Sequence, residues 1–188
     1  MNSQKIVKTF ITALQSGDFA EATNNMAPDF KFIGWTSQPL NEREFLAFQA
    51  ELDAGMPDFS YNLSDLHGHA DVVEGLIQVS GTHTGDMAFP QFGIQTMPVT
   101  GQAVILPQVP VKFILKDGKI AEMRVKPVPG GGLAGLLQQL AAEVPIPPRI
   151  KDIGQLAGDP HLQELEERID EPAFGQSSTS FPVSEYPE

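Results

Sequence analysis

One stretch of alternating residues constrains the fold of this chain more than any other feature. From residue 73 to residue 83, every second position carries an apolar residue, a glycine or a histidine: Val73, Gly75, Ile77, Val79, Gly81 and His83. Because side chains of a β-strand alternate between two faces, this period of two predicts a long strand with one buried side. Glycine weakens a strand interior unless the strand bends or another group approaches closely. The two glycines therefore favour a strongly curved sheet.

Three helices are predicted before this strand. The first begins near a possible cap at Ser3, and its apolar residues recur at helical spacing: Ile6, Val7, Phe10, Ile11 and Leu14. The second begins at Asp18 and the third at Asn41, each with a glutamate three residues later, which is the pattern of a capping box. Gly17 and Gly55 are placed to end the first and third helices.

Further strands follow from local patterns. Short strands are predicted from Phe30 to Trp35 and, by alternation, from Phe59 to Leu63. After a proline- and glycine-rich loop (86–101), a strand is expected over 103–115. Its prolines must interrupt the ladder of hydrogen bonds or place the strand at an edge. The dipeptide Asp117-Gly118 predicts a two-residue hairpin turn, with a partner strand over about 120–126 and a short helix over 133–143.

The chain divides into three segments by composition. Residues 1–143 are expected to form one α+β domain. Residues 144–170 have three prolines among their first five residues and are expected to be a linker with a short helical extension. Residues 171–188 are polar, acidic and poor in core residues, so we expect a disordered tail.

Charge and cysteine content exclude several functions. The formal net charge is −12, from 24 acids and 12 bases, so the chain lacks the basic surface that nucleic acids or anionic membranes require. It has no cysteine, which rules out disulfides, thiolate metal sites and cysteine nucleophiles. Without a recognisable signal peptide or a long apolar run, we expect a cytoplasmic protein that binds neither nucleic acid nor membrane.

The order of helices and strands, with five local motifs, resembles the SnoaL-like family within the nuclear-transport-factor-2-like (NTF2-like) superfamily. The motifs are Gly17-Asp18-Phe19, Gly81-Thr82-His83-Thr84-Gly85, Pro98-Val99-Thr100-Gly101, the hairpin from Asp117 to Glu122, and the helix from Gly135 to Leu140. The resemblance covers residues 4–140. It implies a cone-shaped half-barrel, in which three N-terminal helices pack on a strongly curved, mainly antiparallel sheet, and a homodimer formed through the outer face of that sheet.

Polyketide cyclases of this family use an acidic side chain in the pocket as a general acid/base. The resemblance places the family's acidic positions at Val111 and Pro127 in this sequence, and neither residue can move a proton. His83 is the best remaining catalytic candidate, because its ordinary pKa of about 6.5 suits acid–base work. Asp86 or Asp58 would be its orienting partner. The alternative is a structural histidine whose ring nitrogens satisfy the neighbouring backbone.

Other polar motifs give weaker signals. His67 and His69 make a His-x-His pair that would bind a metal from one face of a strand, but no third ligand follows at a suitable spacing, and a turn explains the pattern equally well. The Gly130–Gly132 run lacks the lysine and hydroxyl of a phosphate-binding loop. We therefore expect neither a metal nor a cofactor.

Aromatic residues supply a possible pocket lining. The predicted substrate-binding residues are Trp35, Tyr61, Phe89 and Phe92, whereas Phe45 and Phe48 are expected to be core. Phe89 and Phe92 lie in the loop after Gly85, and apolar residues in a loop need a place to bury. This loop is expected either to close over the mouth of the pocket as a lid or to contact a second subunit.

Three functions remain open at the level of sequence. The first is a SnoaL-like protein that binds a small, largely apolar ligand in the barrel pocket. The second is a polyketide-cyclase-like or isomerase-type enzyme that uses His83 as general acid/base. The third is a non-catalytic dimerisation module with a structural role. A pocket needs convergent polar groups to orient a ligand for reaction, and the sequence offers only His83, so binding ranks first.

Overall fold

The computed structural model describes residues 2–141, so the predicted segments 144–170 and 171–188 lie outside the described residues. The helices are α1 (Ser3–Gln15), α2 (Phe19–Asn24), α3 (Glu42–Gly55) and α4 (Gly132–Ala141), with one 3-10 turn at Pro90–Phe92. No helix in this part of the chain is both long and apolar enough to cross a membrane.

Ten strands follow one another along the described chain. They are β1 (Met26–Ile33), β2 (Leu40–Asn41), β3 (Ser64–His69), β4 (Val72–Ile77), β5 (Ser80–Thr82), β6 (Met87–Phe89), β7 (Ile94–Met97), β8 (Ala103–Ile105), β9 (Val109–Lys116) and β10 (Lys119–Val125). Six of them form one sheet in the order β2-β1-β10-β9-β4-β3. Within this sheet β1 pairs with β10 in parallel and the other pairs are antiparallel.

Helices α1 and α3 pack on this curved mixed sheet, which confirms the predicted α+β class. Helix α1 contacts β3, β4 and β10, and α3 contacts β1 and β2. The short helix α2 packs mainly on α1. The buried face of the sheet and the inner faces of α1 and α3 therefore make one continuous apolar core.

Local capping follows the sequence, with two differences. The capping box of α3 is complete, because Asn41 and Glu44 exchange side-chain-to-backbone hydrogen bonds of 3.0 Å in both directions. At α2 only half of the predicted box forms: Asp18 accepts from the Glu21 amide, while the Glu21 carboxylate instead accepts from the side chain of Asn25. Asn2, rather than Ser3, caps α1.

The alternation from residue 73 to residue 83 is confirmed, because every residue of the series is buried. The strand is nevertheless divided into β4 and β5. Strand β4 pairs with β9 as far as Val109, and β5 then pairs with β8. Pro107 lies between β8 and β9 and has no amide hydrogen to donate, so the partner chain is interrupted there and the ladder changes sheets.

Other predicted strands are confirmed in part. The Asp117-Gly118 turn joins β9 to β10 with both residues at positive φ (51° and 75°), as a two-residue hairpin requires. The 86–101 loop contains a small hairpin of β6 and β7. The predicted strand over 59–63 is reduced to one bridge between Ser60 and Ser80, because Asn62 adopts a positive φ of 43° that breaks the extended chain.

Candidate functional site

His83 lies immediately after β5 and is completely buried. Its backbone faces two residues of the opposite strand instead of one: the His83 amide donates to the Gln102 carbonyl (2.9 Å), and the Gly101 amide donates to the His83 carbonyl (2.8 Å). Gly101 has a positive φ of 74°. This is a G1-type β-bulge, a feature that redirects side chains next to functional sites.

The two nitrogens of the His83 ring have different surroundings. Nδ1 lies 3.0 Å from the hydroxyl oxygen of Thr100, and that oxygen also accepts from the Gln102 amide (3.3 Å). Nε2 is buried and has no hydrogen-bond partner among residues 2–141. The same holds for the side-chain oxygen Oε1 of Gln102. Buried polar atoms in folded proteins nearly always have a partner, so two such atoms mark this region as a candidate binding site.

Burial also decides the charge of His83. It lowers the pKa of the imidazole below its ordinary value, and the negative charge of Asp86 opposes this effect only in part. The orienting group is Thr100, whereas the sequence suggested Asp86 or Asp58. Asp58 instead holds Thr82, accepting from its amide (2.6 Å) and its hydroxyl (2.7 Å). His83 is therefore a neutral imidazole near pH 7, held by a hydroxyl.

A second polar network is centred on two residues of α3. The Tyr61 hydroxyl donates to Gln49 Oε1 (2.6 Å), and Gln49 Nε2 donates to Asp53 Oδ1 (2.8 Å). Burial raises the pKa of Asp53 to about 6, with the Gln49 hydrogen bond acting in the opposite direction. Burial, together with the nearby charge of Asp53, raises the pKa of Tyr61. Asp53 Oδ2 is buried without a partner in the described part of the chain.

Sequence reasoning missed this network, although one signal was available. Gln49 and Asp53 are four residues apart on a capped helix, so their side chains are neighbours on its surface. Their helical face also carries Phe45 and Phe48, which are fully buried as predicted. A polar residue placed on such a face is buried unless it reaches solvent, and Gln49 has no exposed surface.

The segments that carry His83 and Asp53 meet at the C-terminal end of α3. The amides of Thr84 and Gly85 both donate to the Gly55 carbonyl at 3.0 Å. A side chain at Gly85 would collide with the Ala54 carbonyl oxygen, so only glycine permits this approach. The chain just after His83 is thus fixed against the helix end that lies two residues beyond Asp53.

The predicted aromatic residues separate into two groups. Trp35, Phe89 and Phe92 surround Phe48, with ring centroids 6.2, 5.2 and 6.0 Å from that of Phe48. Phe89 is fully buried in this cluster, so the apolar residues of the 86–101 segment bury against α3. Tyr61 does not join them. Its ring packs edge-on against Phe59 and its hydroxyl serves Gln49.

His67 and His69 lie on β3, next to a two-residue turn that leads into β4. His67 Nδ1 is 2.7 Å from the Asp65 carbonyl oxygen, and its Nε2 is 3.7 Å from the Glu74 carboxylate. Within residues 2–141 no three histidine, aspartate or glutamate side chains are arranged to hold a metal ion.

Val111 and Pro127 occupy the positions that the resemblance assigned to the family's acids. Val111 is buried on β9, and Pro127 is exposed just after β10. Both border a depression of about 440 Å³, which also takes in Leu76, Lys112 and Arg124. Most residues around it alternate with the buried residues of their strands, so the depression lies on the outer face of the sheet, opposite the helices.

The class of protein follows from a match to a known domain family. The SnoaL-like domain profile matches residues 7–123, which is more than half of the chain. The protein therefore belongs to the SnoaL-like domain family. No curated protein matches the sequence.

Solved structures agree with this assignment. A candidate SnoaL-like polyketide cyclase from Jannaschia sp. CCS1 is 22% identical, with 76% of this chain and 94% of that chain covered and a TM-score of 0.59. IdmH of Streptomyces antibioticus, a candidate polyketide cyclase, is 21% identical over 71% of this chain and 97% of its own, with a TM-score of 0.56. An LEH-like epoxide hydrolase of M. tuberculosis is 16% identical over 74% and 92%, with a TM-score of 0.53. At these identities the similarity establishes the fold alone.

Proposed function

We propose that this protein binds a small, largely apolar molecule between the sheet and the helices, with one polar group of the ligand hydrogen-bonded to His83 Nε2. The proposed site is the interior of a cone-shaped half-barrel, with Trp35, Tyr61, Phe89 and Phe92 on its walls. The observation that carries the proposal is the fully buried imidazole whose Nε2 has no partner in the described chain.

The surroundings of His83 support an apolar ligand. The residues that share its side of the chain, Val79 and Ile77, are buried and apolar, as is Val104 on the opposite strand. The lowered pKa keeps the imidazole neutral at physiological pH, so the site favours a neutral hydrogen-bonding group over a carboxylate. We further propose that the hairpin of β6 and β7, which carries Phe89, acts as the lid of the site.

A binding screen tests this function. Aromatic alcohols and ketones of one to three rings are titrated by calorimetry into the full-length protein and into the variants His83→Ala and His69→Ala. His69 is an exposed strand residue and provides the matched control. We expect saturable binding that weakens about tenfold in His83→Ala and is unchanged in His69→Ala, because the loss of one buried hydrogen bond costs about 1–3 kcal/mol. An absence of binding across the panel, or equal affinity in both variants, would refute the proposal.

Catalysis is the second candidate, and one observation favours it. Asp53 and His83 belong to segments joined at the end of α3, and burial moves the pKa of Asp53 up to about 6 while lowering that of His83. Two ionisable groups adjusted in this way suit proton transfer to and from a bound carbonyl compound, as in a cyclase or isomerase. Solvent-exchange NMR of bound ketones tests this. An enzyme is supported if deuterium is incorporated at the carbon next to the carbonyl and if Asp53→Asn abolishes this incorporation. An exchange rate equal to that in buffer alone opposes catalysis.

We also propose that the chain forms a homodimer through the outer face of the sheet. Leu76 and Pro110 form the apolar part of its depression, and the ion pair of Lys112 with Glu74 (2.7 Å) neutralises the charge beside them. Sedimentation equilibrium of the wild type and Leu76→Arg tests this. A dimer that becomes a folded monomer in the variant is expected, and an unchanged assembly state would contradict the proposal.

A further inference from the structure

Two buried polar atoms, His83 Nε2 and Gln102 Oε1, lie on facing residues of the G1 bulge and lack a partner in residues 2–141. Facing residues of antiparallel strands project their side chains to the same side of the sheet, with Cβ atoms roughly 5 Å apart. Val104, two residues beyond Gln102, and Gly81, two residues before His83, are both buried on that side. The side chains that carry the two atoms therefore leave the strands on the same, buried side.

The Thr100 hydroxyl allows His83 Nδ1 to act as a hydrogen-bond acceptor. Its hydroxyl oxygen accepts the Gln102 amide proton, so its own hydrogen is free to point to His83 Nδ1, which lies 3.0 Å away. An Nδ1 that accepts this hydrogen leaves the ring proton on Nε2, because a neutral imidazole carries only one. In this tautomer His83 offers an N–H donor on the same side of the strands that carries Gln102, whose amide oxygen only accepts.

We propose that His83 and Gln102 form a donor–acceptor pair that selects ligands with a hydroxyl group: alcohols, phenols or enols. A hydroxyl oxygen accepts from Nε2–H while its hydrogen is donated to Gln102 Oε1, so one small group satisfies both buried atoms. A ketone or ether satisfies Nε2 alone and leaves the Gln102 oxygen buried without a donor. Gln102 is thus the specificity-determining residue of the site, an inference that rests on the proposed binding function.

The proposal is tested with two probes, of which one has a hydroxyl donor and the other has that hydroxyl methylated. The dissociation constants of 2-naphthol and its methyl ether, 2-methoxynaphthalene, are measured in the wild type, in Gln102→Leu and in Gln108→Leu. Gln108 is exposed between β8 and β9, outside the proposed site and its lid, and serves as the matched control. Leucine has nearly the same volume as glutamine. If the methyl group of the ether weakens binding by steric hindrance, the difference in affinity persists in Gln102→Leu. If the difference is due to the hydrogen bond to Gln102, it disappears.

The wild type and Gln108→Leu are expected to bind 2-naphthol about tenfold more tightly than the ether, because the ether leaves a buried acceptor unsatisfied. In Gln102→Leu the two affinities become equal. The variant also melts at the same temperature as the wild type or higher, since an unsatisfied buried oxygen is removed.

Equal affinities in the wild type, or a preference for the alcohol that survives Gln102→Leu, would overturn the donor–acceptor pair while leaving the binding function intact. Failure of both probes and of every other panel member to bind would overturn the function as well. Long-range proton–nitrogen NMR of the histidines provides a readout without a ligand. The Nε2–H form of His83 is expected in the wild type and a mixture of both tautomers in Thr100→Val, and an Nδ1–H form in the wild type contradicts the assignment.

Discussion

The buried carboxyl group of Asp53 makes the stability of this protein depend on pH in an unusual direction. Most carboxylates in folded proteins gain hydrogen bonds or positive neighbours, so their folded-state pKa values fall and acid destabilises the fold. Asp53 accepts one hydrogen bond from Gln49, but burial dominates and raises its pKa from 3.8 to about 6. Between these two pH values the folded state binds more protons than the unfolded state. Its contribution to the stability of the fold therefore decreases as the pH rises.

The magnitude follows from the difference in pKa. Two pKa units correspond to about 3 kcal/mol of free energy. Asp53 is only half-buried, and solvent screening reduces the effect, so we expect about 1–2 kcal/mol. This contribution is fully present below pH 3.8, is lost progressively between about pH 4 and pH 6, and is absent above pH 7. Replacement of Asp53 by Asn removes the titrating group and retains an oxygen that accepts from Gln49.

Urea unfolding provides the assay. The chain has a single tryptophan, Trp35, which is buried and reports unfolding by its fluorescence. The free energy of unfolding is measured from pH 3 to pH 8 for the wild type, Asp53→Asn and Asp58→Asn. Relative to the wild type, the variant is expected to gain about 1–2 kcal/mol between pH 4 and pH 8. A change in stability that the new amide causes equally at every pH does not affect the result, because each protein is compared with itself at different pH values.

Asp58→Asn is the matched control, because its effect has the opposite sign. Hydrogen bonds from the amide and hydroxyl of Thr82 lower the pKa of the Asp58 carboxyl. Its stabilising contribution is therefore present at neutral pH and is lost as the pH falls below about 4. If Asp53→Asn and the wild type showed the same pH dependence, or if the two variants deviated in the same direction, burial would not govern the charge of Asp53.

Three further substitutions test the packing around the site. Tyr61→Phe leaves the Gln49 oxygen without its donor and is expected to lower the free energy of unfolding by about 1–3 kcal/mol, measured by urea unfolding; a neutral result would mean that water replaces the hydroxyl. Phe48→Ala removes the centre of the aromatic cluster and is expected to cost about 3–5 kcal/mol by circular dichroism, whereas a loss below 1 kcal/mol would show that the cluster collapses without strain. Gly34→Ala forces a side chain against the Val125 carbonyl oxygen at a φ of +106°, so we expect a loss of at least about 3 kcal/mol in thermal unfolding, and a wild-type melting temperature would contradict the backbone geometry.

The burial of His83 could be predicted from the sequence, whereas the residues that contact it could not. The alternation placed His83 on the buried side of its strand because strand periodicity is a local property. Its hydrogen-bond partner Thr100 is 17 residues away, and only the pairing of β5 with β8 brings the two together. Asp53 gave no signal as an acid, since its pKa depends on burial by elements distant in the chain. The predicted lining residue Tyr61 lies apart from the Phe48 cluster, because its hydroxyl pairs with Gln49.

Features that a few neighbouring residues control could be predicted from the amino-acid sequence. These include the capping box at Asn41, the turn at Asp117-Gly118 and the interruption at Pro107. Capping atoms, positive φ angles and missing amide hydrogens all act on residues that are close in the sequence. Long-range packing, by contrast, sets the parallel pairing of β1 with β10, some ninety residues later, and holds the chain just after β5 against the end of α3. These contacts arise from burial of the whole apolar core, in which the imidazole of His83 is enclosed and the pKa of Asp53 is raised.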